Sequence, residues 1–143
     1  MTALPDPDYQ PQFYQAVASK RLLAWLIDSV IIAVLCFGVS IMTVFIGFFF
    51  WPVLFLVLGF AYRVVTIANG SATWGMSFAG IELRTLSGQK FDIRLAVLHT
   101  AGYSISLAIP VLQIISIIMM LTSSRGQGLT DAFLGTAALN RRV

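Results

Sequence analysis

The chain has 143 residues, nine of them Lys or Arg and six Asp or Glu, so only 10% are charged, against about 25% in an ordinary soluble domain. Hydrophobic residues make up 58% of it and the mean hydropathy is +0.87. That excludes disorder and argues against a water-soluble fold, because a small domain has too much surface to cover with so few polar groups. The length suits one domain, and the composition is that of an integral membrane protein.

Residues 1–19 read as a polar tail with Asp6, Asp8 and three prolines. This tail has no basic stretch ahead of an apolar core, so it does not resemble a cleavable signal, and the first span is expected to act as an uncleaved signal-anchor. Lys20 and Arg21 stand just before that span. No charge occurs from Ser29 to Tyr62, and the apolar block 22–67 is too long for one helix, since a bilayer takes roughly 20 helical residues. It divides into spans of about 22–46 and 50–67. The break falls near GFFFWP, where Pro52 suits a first helical turn and Trp51 a membrane interface.

Residues 68–94 form a glycine-spaced linker, with Gly70, Gly75, Gly80 and Gly88. Thr73–Ala79 fits an interfacial helical turn, with Trp74 and Phe78 four apart and facing lipid. Ile81 to Leu86 alternates apolar and polar, the period of a strand, and Ser87-Gly88 reads as a turn. A short hairpin or an extended excursion near the membrane is expected. No phosphate-binding glycine loop is present.

A third segment, about 95–122, is uncharged apart from His99. It is either one long span or two pieces broken at Pro110. Gly102 with Ser106, and Ser104 with Ala108, are small-xxx-small pairs that let backbones approach in lipid. The stretch 125–140 closes the chain. The basic residues place the N-terminus and the 63–94 segment in the cytoplasm. Three full spans would leave Arg125, Arg141 and Arg142 outside, whereas a re-entrant third segment would bring them back. Re-entrant backbone is tolerated only where protein buries it. The sequence leaves this open.

Arg21 and Asp28 are seven apart, on one helix face, with Asp28 about 10 Å deeper. A carboxylate deep in a span costs roughly 2.5–3.5 kcal/mol on insertion scales, so Asp28 needs a partner. The candidates are Arg21, Arg63, His99 and Arg125. Asp28 is either part of a proton or cation path or half of a buried pair that fixes register. His99 can titrate near neutral pH, although a hydrogen-bonded core histidine is the simpler reading. Trp25 is placed to anchor at the interface or to stack on Arg21. One cysteine, Cys36, excludes an intrachain disulfide, and one His with one Cys cannot build a zinc site. With no hydrolytic motif either, an enzyme is not expected, and neither are a metal, a cofactor or a nucleic-acid partner.

Three stretches together resemble the RDD family of small, mostly bacterial membrane proteins, named for an arginine and two aspartates. In ASKRLLAWLIDSVII, Arg21 and Asp28 match the family's opening Arg and first Asp. TWGMSFAGIELRTLSGQ is similar to its glycine-spaced region, with Gly75, Gly80 and Gly88. RGQGLTDAFLGTAAL looks like its closing L-x-D-x-x-x-G-T motif, making Asp131 the second Asp, followed by Gly135 and Thr136. Met76, His99 and Thr130 stand where the family often has Lys, Arg and His, which weakens transfer of a transport activity. The resemblance implies an all-α membrane bundle of about three hydrophobic segments with a short cytoplasmic excursion, spanning residues 20–140 of a multi-pass protein of the cell membrane. Some members are associated with cation/proton exchange and others look like accessory or assembly partners.

Asp131 is expected to pair with Arg21 or to cap a short helix over Phe133 and Leu134, with Arg21, Asp28 and Asp131 clustered near the cytoplasmic interface. Two functional readings follow. One is an accessory, scaffold or assembly component acting through helix packing, with the bilayer and either further copies of itself or a membrane partner protein. The other is a small oligomeric cation/proton transporter using Asp28 and His99.

Overall fold

A computed structural model describes residues 4–140; Arg141 and Arg142, which entered the topology reading, lie outside the described residues. The first helix, α1 (Val17–Met42), starts five residues before the expected apolar boundary. Its buried residues Val17, Ala24, Asp28, Ile32, Cys36 and Ser40 recur at sevens and fours, so they form one stripe. The opposite wall, with Leu26, Val30, Val34 and Ile41, is apolar and exposed, as befits a surface facing lipid rather than water.

The turn after α1 carries a single-turn helix α2 (Ile46–Phe49), and then α3 (Trp51–Gly70) begins with Pro52 in its first turn. Proline fits there because the first helical N–H groups have no intrahelical acceptor. Phe45, Phe48 and Trp51 stack in sequence, with centroids 5.9 Å apart at each step. Gly47 folds this turn back on α1, and a Cβ there would lie 2.8 Å from the Cα of Ser40. Ile32, Cys36 and Tyr62 form the buried centre of the α1–α3 contact.

Both α1 and α3 are long and apolar enough to cross a membrane. The third segment is a pair, α4 (Ile93–Ala108) and α5 (Pro110–Thr122), bent by 116°. The bend sits at Ile109, whose extended backbone (φ −113°, ψ 100°) is the conformation that a following proline enforces. Of the two forms left open by the sequence, the segment thus adopts the broken one.

The linker contains a short helix, Trp74–Ala79, and a strand β1 (Ile81–Thr85). Trp74 and Phe78 are exposed on that helix while Met76 is buried. Of the two forms expected here, a local hairpin or an extended excursion, the segment takes the extended one. Strand β1 pairs antiparallel with β2 (Thr136–Asn140), from Ile81 opposite Asn140 to Thr85 opposite Thr136. A strand pattern fixes which face is apolar but not which strand pairs with it. The Ser87-Gly88 turn remains, with Gly88 N–H donating to the Thr85 carbonyl and φ +82°, a conformation glycine adopts without strain.

This pairing ties the two halves of the chain. Both ends of the α4–α5 pair lead to the same sheet, so the third segment enters and returns at one end of the bundle. The amide of Asn140 donates to the carbonyls of Gln12 and Gln15, and Lys20 donates to its side-chain oxygen at 2.7 Å. The tail-side strand therefore lies beside the start of α1. The main core, including Val17, Ala24, Ile67, Met76, Ile81, Leu83 and Ala138, sits at this end. Ser71, at the end of α3 with φ +59°, fastens β1 there: its hydroxyl donates to the Leu83 carbonyl, and its carbonyl accepts from Leu83 N–H.

Candidate functional site

The two signature aspartates are buried in separate settings. Asp131 is carried by a short helix, Leu129–Leu134, and is fully buried. One carboxylate oxygen accepts from Arg21 at 2.5 Å and from the backbone N–H of Gly128 at 3.1 Å. The other accepts from His99 Nε2 at 2.9 Å and from the Thr136 hydroxyl at 2.8 Å. Asp131 thus does both things expected of it: it pairs with Arg21 and caps its own helix. Burial alone would push its carboxyl up. The Arg21 charge and the His99 contact outweigh that and hold it well below the usual carboxylate range. An ionised carboxylate only accepts, so His99 must donate from Nε2. Its Nδ1 is buried without a hydrogen-bond partner among the described residues.

The turn that follows depends on two signature residues. Gly135 ends the helix at φ +69° and its N–H donates to the Asp131 carbonyl, a left-handed cap that glycine takes without strain. Thr136 then opens β2 with its hydroxyl on Asp131. The segment is pressed on its neighbours. A Cβ on Gly102 would lie 2.6 Å from Thr130 Cγ2, and one on Gly128 2.5 Å from Ser116 Oγ. Gly102 thus serves close packing against this short segment rather than a helix–helix crossing.

Asp28 lies deeper, and among the described residues no charged side chain bonds to it. The Tyr62 hydroxyl donates to Oδ1 and the Thr73 hydroxyl to Oδ2, both at 2.6 Å, and the Gly75 N–H donates to Oδ1 at 2.9 Å. Among the described residues no ion pair joins Asp28 to Arg21, Arg63, His99 or Arg125. The expected three-residue cluster therefore resolves into an Arg21–Asp131 pair and a separate Asp28. The physical reason is that the TWG turn supplies two neutral donors and Tyr62 of α3 a third, leaving Arg63 to act on Asp28 only through space. Thr73 also accepts from Met76 N–H at 3.1 Å and so caps its helix. Gly75 is required by contact: a Cβ there would lie 2.3 Å from the Ala24 carbonyl and 2.7 Å from Asp28. Gly80 ends the same helix at φ +81°.

Two participants, Tyr62 and Tyr103, were not legible as site residues, and Arg63, named as a candidate partner for Asp28, has a different contact. Tyr62 carried no signal except its place beside Arg63. Tyr103 accepts from the Trp25 indole at 2.6 Å, so Trp25 does not stack on Arg21. Arg63 lies over the Tyr103 ring at 4.0 Å, a cation–π contact. Arg21, Asp28, Arg63, His99 and Asp131 all border one cavity of about 490 Å³, walled by α1, α4, α5 and the Asp131 segment. Among the described residues no group of three His, Cys, Asp or Glu side chains could hold a metal ion.

The family model described as the RDD family matches residues 15–135, from just before α1 to the glycine after Asp131. No curated protein and no solved structure matches the chain. The matched span contains Arg21, Asp28, Asp131 and the glycine-spaced linker in family order, and the chain belongs to the RDD family of membrane proteins.

Proposed function

We propose that this RDD protein is an accessory or assembly component of the cell membrane, acting through helix packing with a partner protein or with further copies of itself. The observation that carries the reading is the hydrogen bonding of both oxygens of both buried carboxylates. Asp131 accepts four hydrogen bonds and Asp28 three. Carboxylates so engaged brace the fold, and a relay would have to break those bonds at each proton or cation passed. The broad apolar wall of α1 supplies a surface for a neighbouring helix. Basic residues at the sheet end, Lys20, Arg84 and Lys90 among them, support a cytoplasmic placement of that end, N-terminus included.

The cavity supports a second reading, the small oligomeric cation/proton transporter, because Asp28 and His99 both border it. Reconstitution separates the two. Purified protein in liposomes is challenged with Na⁺ and K⁺ jumps while internal pH is followed, for wild type and Asp28→Asn. The scaffold reading expects no flux above empty liposomes in either. Cation-dependent flux in wild type that disappears in Asp28→Asn, with the variant folded, would overturn it.

A further inference from the structure

Arg63 poses a problem that the fold leaves unsolved. Its side chain is 7% exposed, it sits seven residues inside the end of α3, and its Nε is buried with no hydrogen-bond partner. Among the described residues no carboxylate pairs with it within salt-bridge distance. The Tyr103 ring covers one face of the guanidinium, the Asp28 carboxylate acts on it only through space, and among the described residues its Nε has no acceptor. A buried guanidinium with an unmatched N–H is costly even with a carboxylate in electrostatic range, so an acceptor from outside the chain would relieve it. Arg63 borders the 490 Å³ cavity together with His99, whose Nδ1 is also unpartnered.

The cavity lining is graded. Its buried members include Arg63, His99 and Ser106, at 7%, 2% and 4% exposure, together with Asp28 and Asp131, whose carboxylates are already engaged by the donors described above, whereas Leu22, Leu107 and Leu121 are 59%, 41% and 69% exposed. The polar pole is therefore internal, with Arg63 its cation that no carboxylate contacts directly among the described residues, and the apolar rim lies on the outer surface of helices that face lipid. A water-soluble anion has no use for such a rim. An amphiphile fits both parts, with its anionic head at Arg63 and its chain leaving over Leu22 and Leu121. A planar guanidinium presents paired N–H groups that match phosphate or carboxylate oxygens.

We propose that this cavity is a binding site for an anionic membrane lipid, whose headgroup phosphate pairs with Arg63 and whose acyl chain exits between α1 and α5. The site goes beyond the scaffold reading and does not depend on it. Nothing in the flux experiment decides it.

The test uses the full-length protein, purified in a neutral detergent and stripped of lipid. Thermal unfolding and competition against a fluorescent phosphatidylglycerol are followed with three probes: phosphatidylglycerol, phosphatidylcholine and inorganic phosphate. Phosphatidylglycerol should raise the melting temperature and displace the fluorophore, with phosphatidylcholine and inorganic phosphate at least tenfold weaker. Arg63→Gln should weaken phosphatidylglycerol at least tenfold. Leu121→Trp, which crowds the exposed rim and leaves Arg63 in place, keeps the proposal testable if Arg63→Gln does not fold, and it should weaken phosphatidylglycerol severalfold. Equal binding of phosphatidylglycerol and phosphatidylcholine would overturn the proposal. So would equal binding of inorganic phosphate, or full phosphatidylglycerol binding to a folded Arg63→Gln or to Leu121→Trp.

Discussion

Asp131 and Asp28 answer one physical problem in two ways. Each is a carboxylate withdrawn from water; Asp131 accepts four hydrogen bonds and Asp28 three. Asp131 lies at the sheet end and uses charge: Arg21 neutralises it, and His99 and Thr136 complete the set. Asp28 lies about two helical turns further along α1 and uses only neutral donors, two hydroxyls and one backbone N–H. The difference follows depth. Near the interface an arginine can reach a buried acid while its stem stays partly wet, and Arg21 is 13% exposed. Deeper in the bundle a second charge would add its own desolvation cost, and hydroxyls do not. The first arrangement clamps chain segments far apart in sequence; the second sets the distance between α1 and the turn after α3.

The largest effect should come from breaking the charged arrangement. Arg21→Ala leaves Asp131 buried beside a neutral or weakly basic set, and we expect a loss of about 3–5 kcal/mol of unfolding free energy, measured by denaturant titration in mixed micelles. A loss no larger than that of a surface substitution would show that Arg21 is not the counter-charge. Gly75→Ala attacks the neutral arrangement by shape. Its Cβ would collide with the Ala24 carbonyl and Asp28, and overpacking of this kind costs about 1–3 kcal/mol. An unchanged melting temperature would mean that the turn can move away from α1 freely.

pH should separate the two regions further. The Asp131 carboxyl is depressed in the folded state. Its contribution is therefore complete above the ordinary aspartate value of about 3.9 and is lost as pH falls from there toward the depressed folded value. Stability followed on acidification should decline through this window in wild type and decline less in Asp131→Asn. Equal acid profiles would remove Asp131 from the account. The smallest effect is expected at the rim of the cavity. Trp25→Phe removes only the indole bond to Tyr103, and such contacts in membrane proteins average about 0.6 kcal/mol.

Much of this was legible in the residues because membrane physics is written in composition. Runs without charge located α1 and α3, and Pro52 marked the start of the second. The Arg21–Asp131 pair and the cap on Asp131 were readable from the closing motif. What was hidden depends on contacts distant in sequence. The partner of Ile81–Thr85 is residues 136–140, and no local pattern distinguishes that from a hairpin. The donors to Asp28 come from Tyr62, Thr73 and Gly75, where a search for opposite charge found only arginines and a histidine. Pro110 offered a break, but the 116° bend there and the return of the chain to β2 beside β1 depend on packing distant in sequence. Arg63 was read as a topology marker and as a candidate partner for Asp28, and its burial against Tyr103 became visible only once α3 was packed.

The most direct test of two differently built supports is to neutralise each acid at nearly constant shape. Asp28→Asn keeps an oxygen for Gly75 and Tyr62 and turns its amide toward the Thr73 hydroxyl, which can accept. Asp131→Asn removes the charge that compensates Arg21. Unfolding free energies measured side by side in the same micelles should show Asp131→Asn destabilised by about 3–5 kcal/mol and Asp28→Asn by about 1–2 kcal/mol. Equal losses, or a larger loss at Asp28, would contradict the division between a charged clamp and a neutral one.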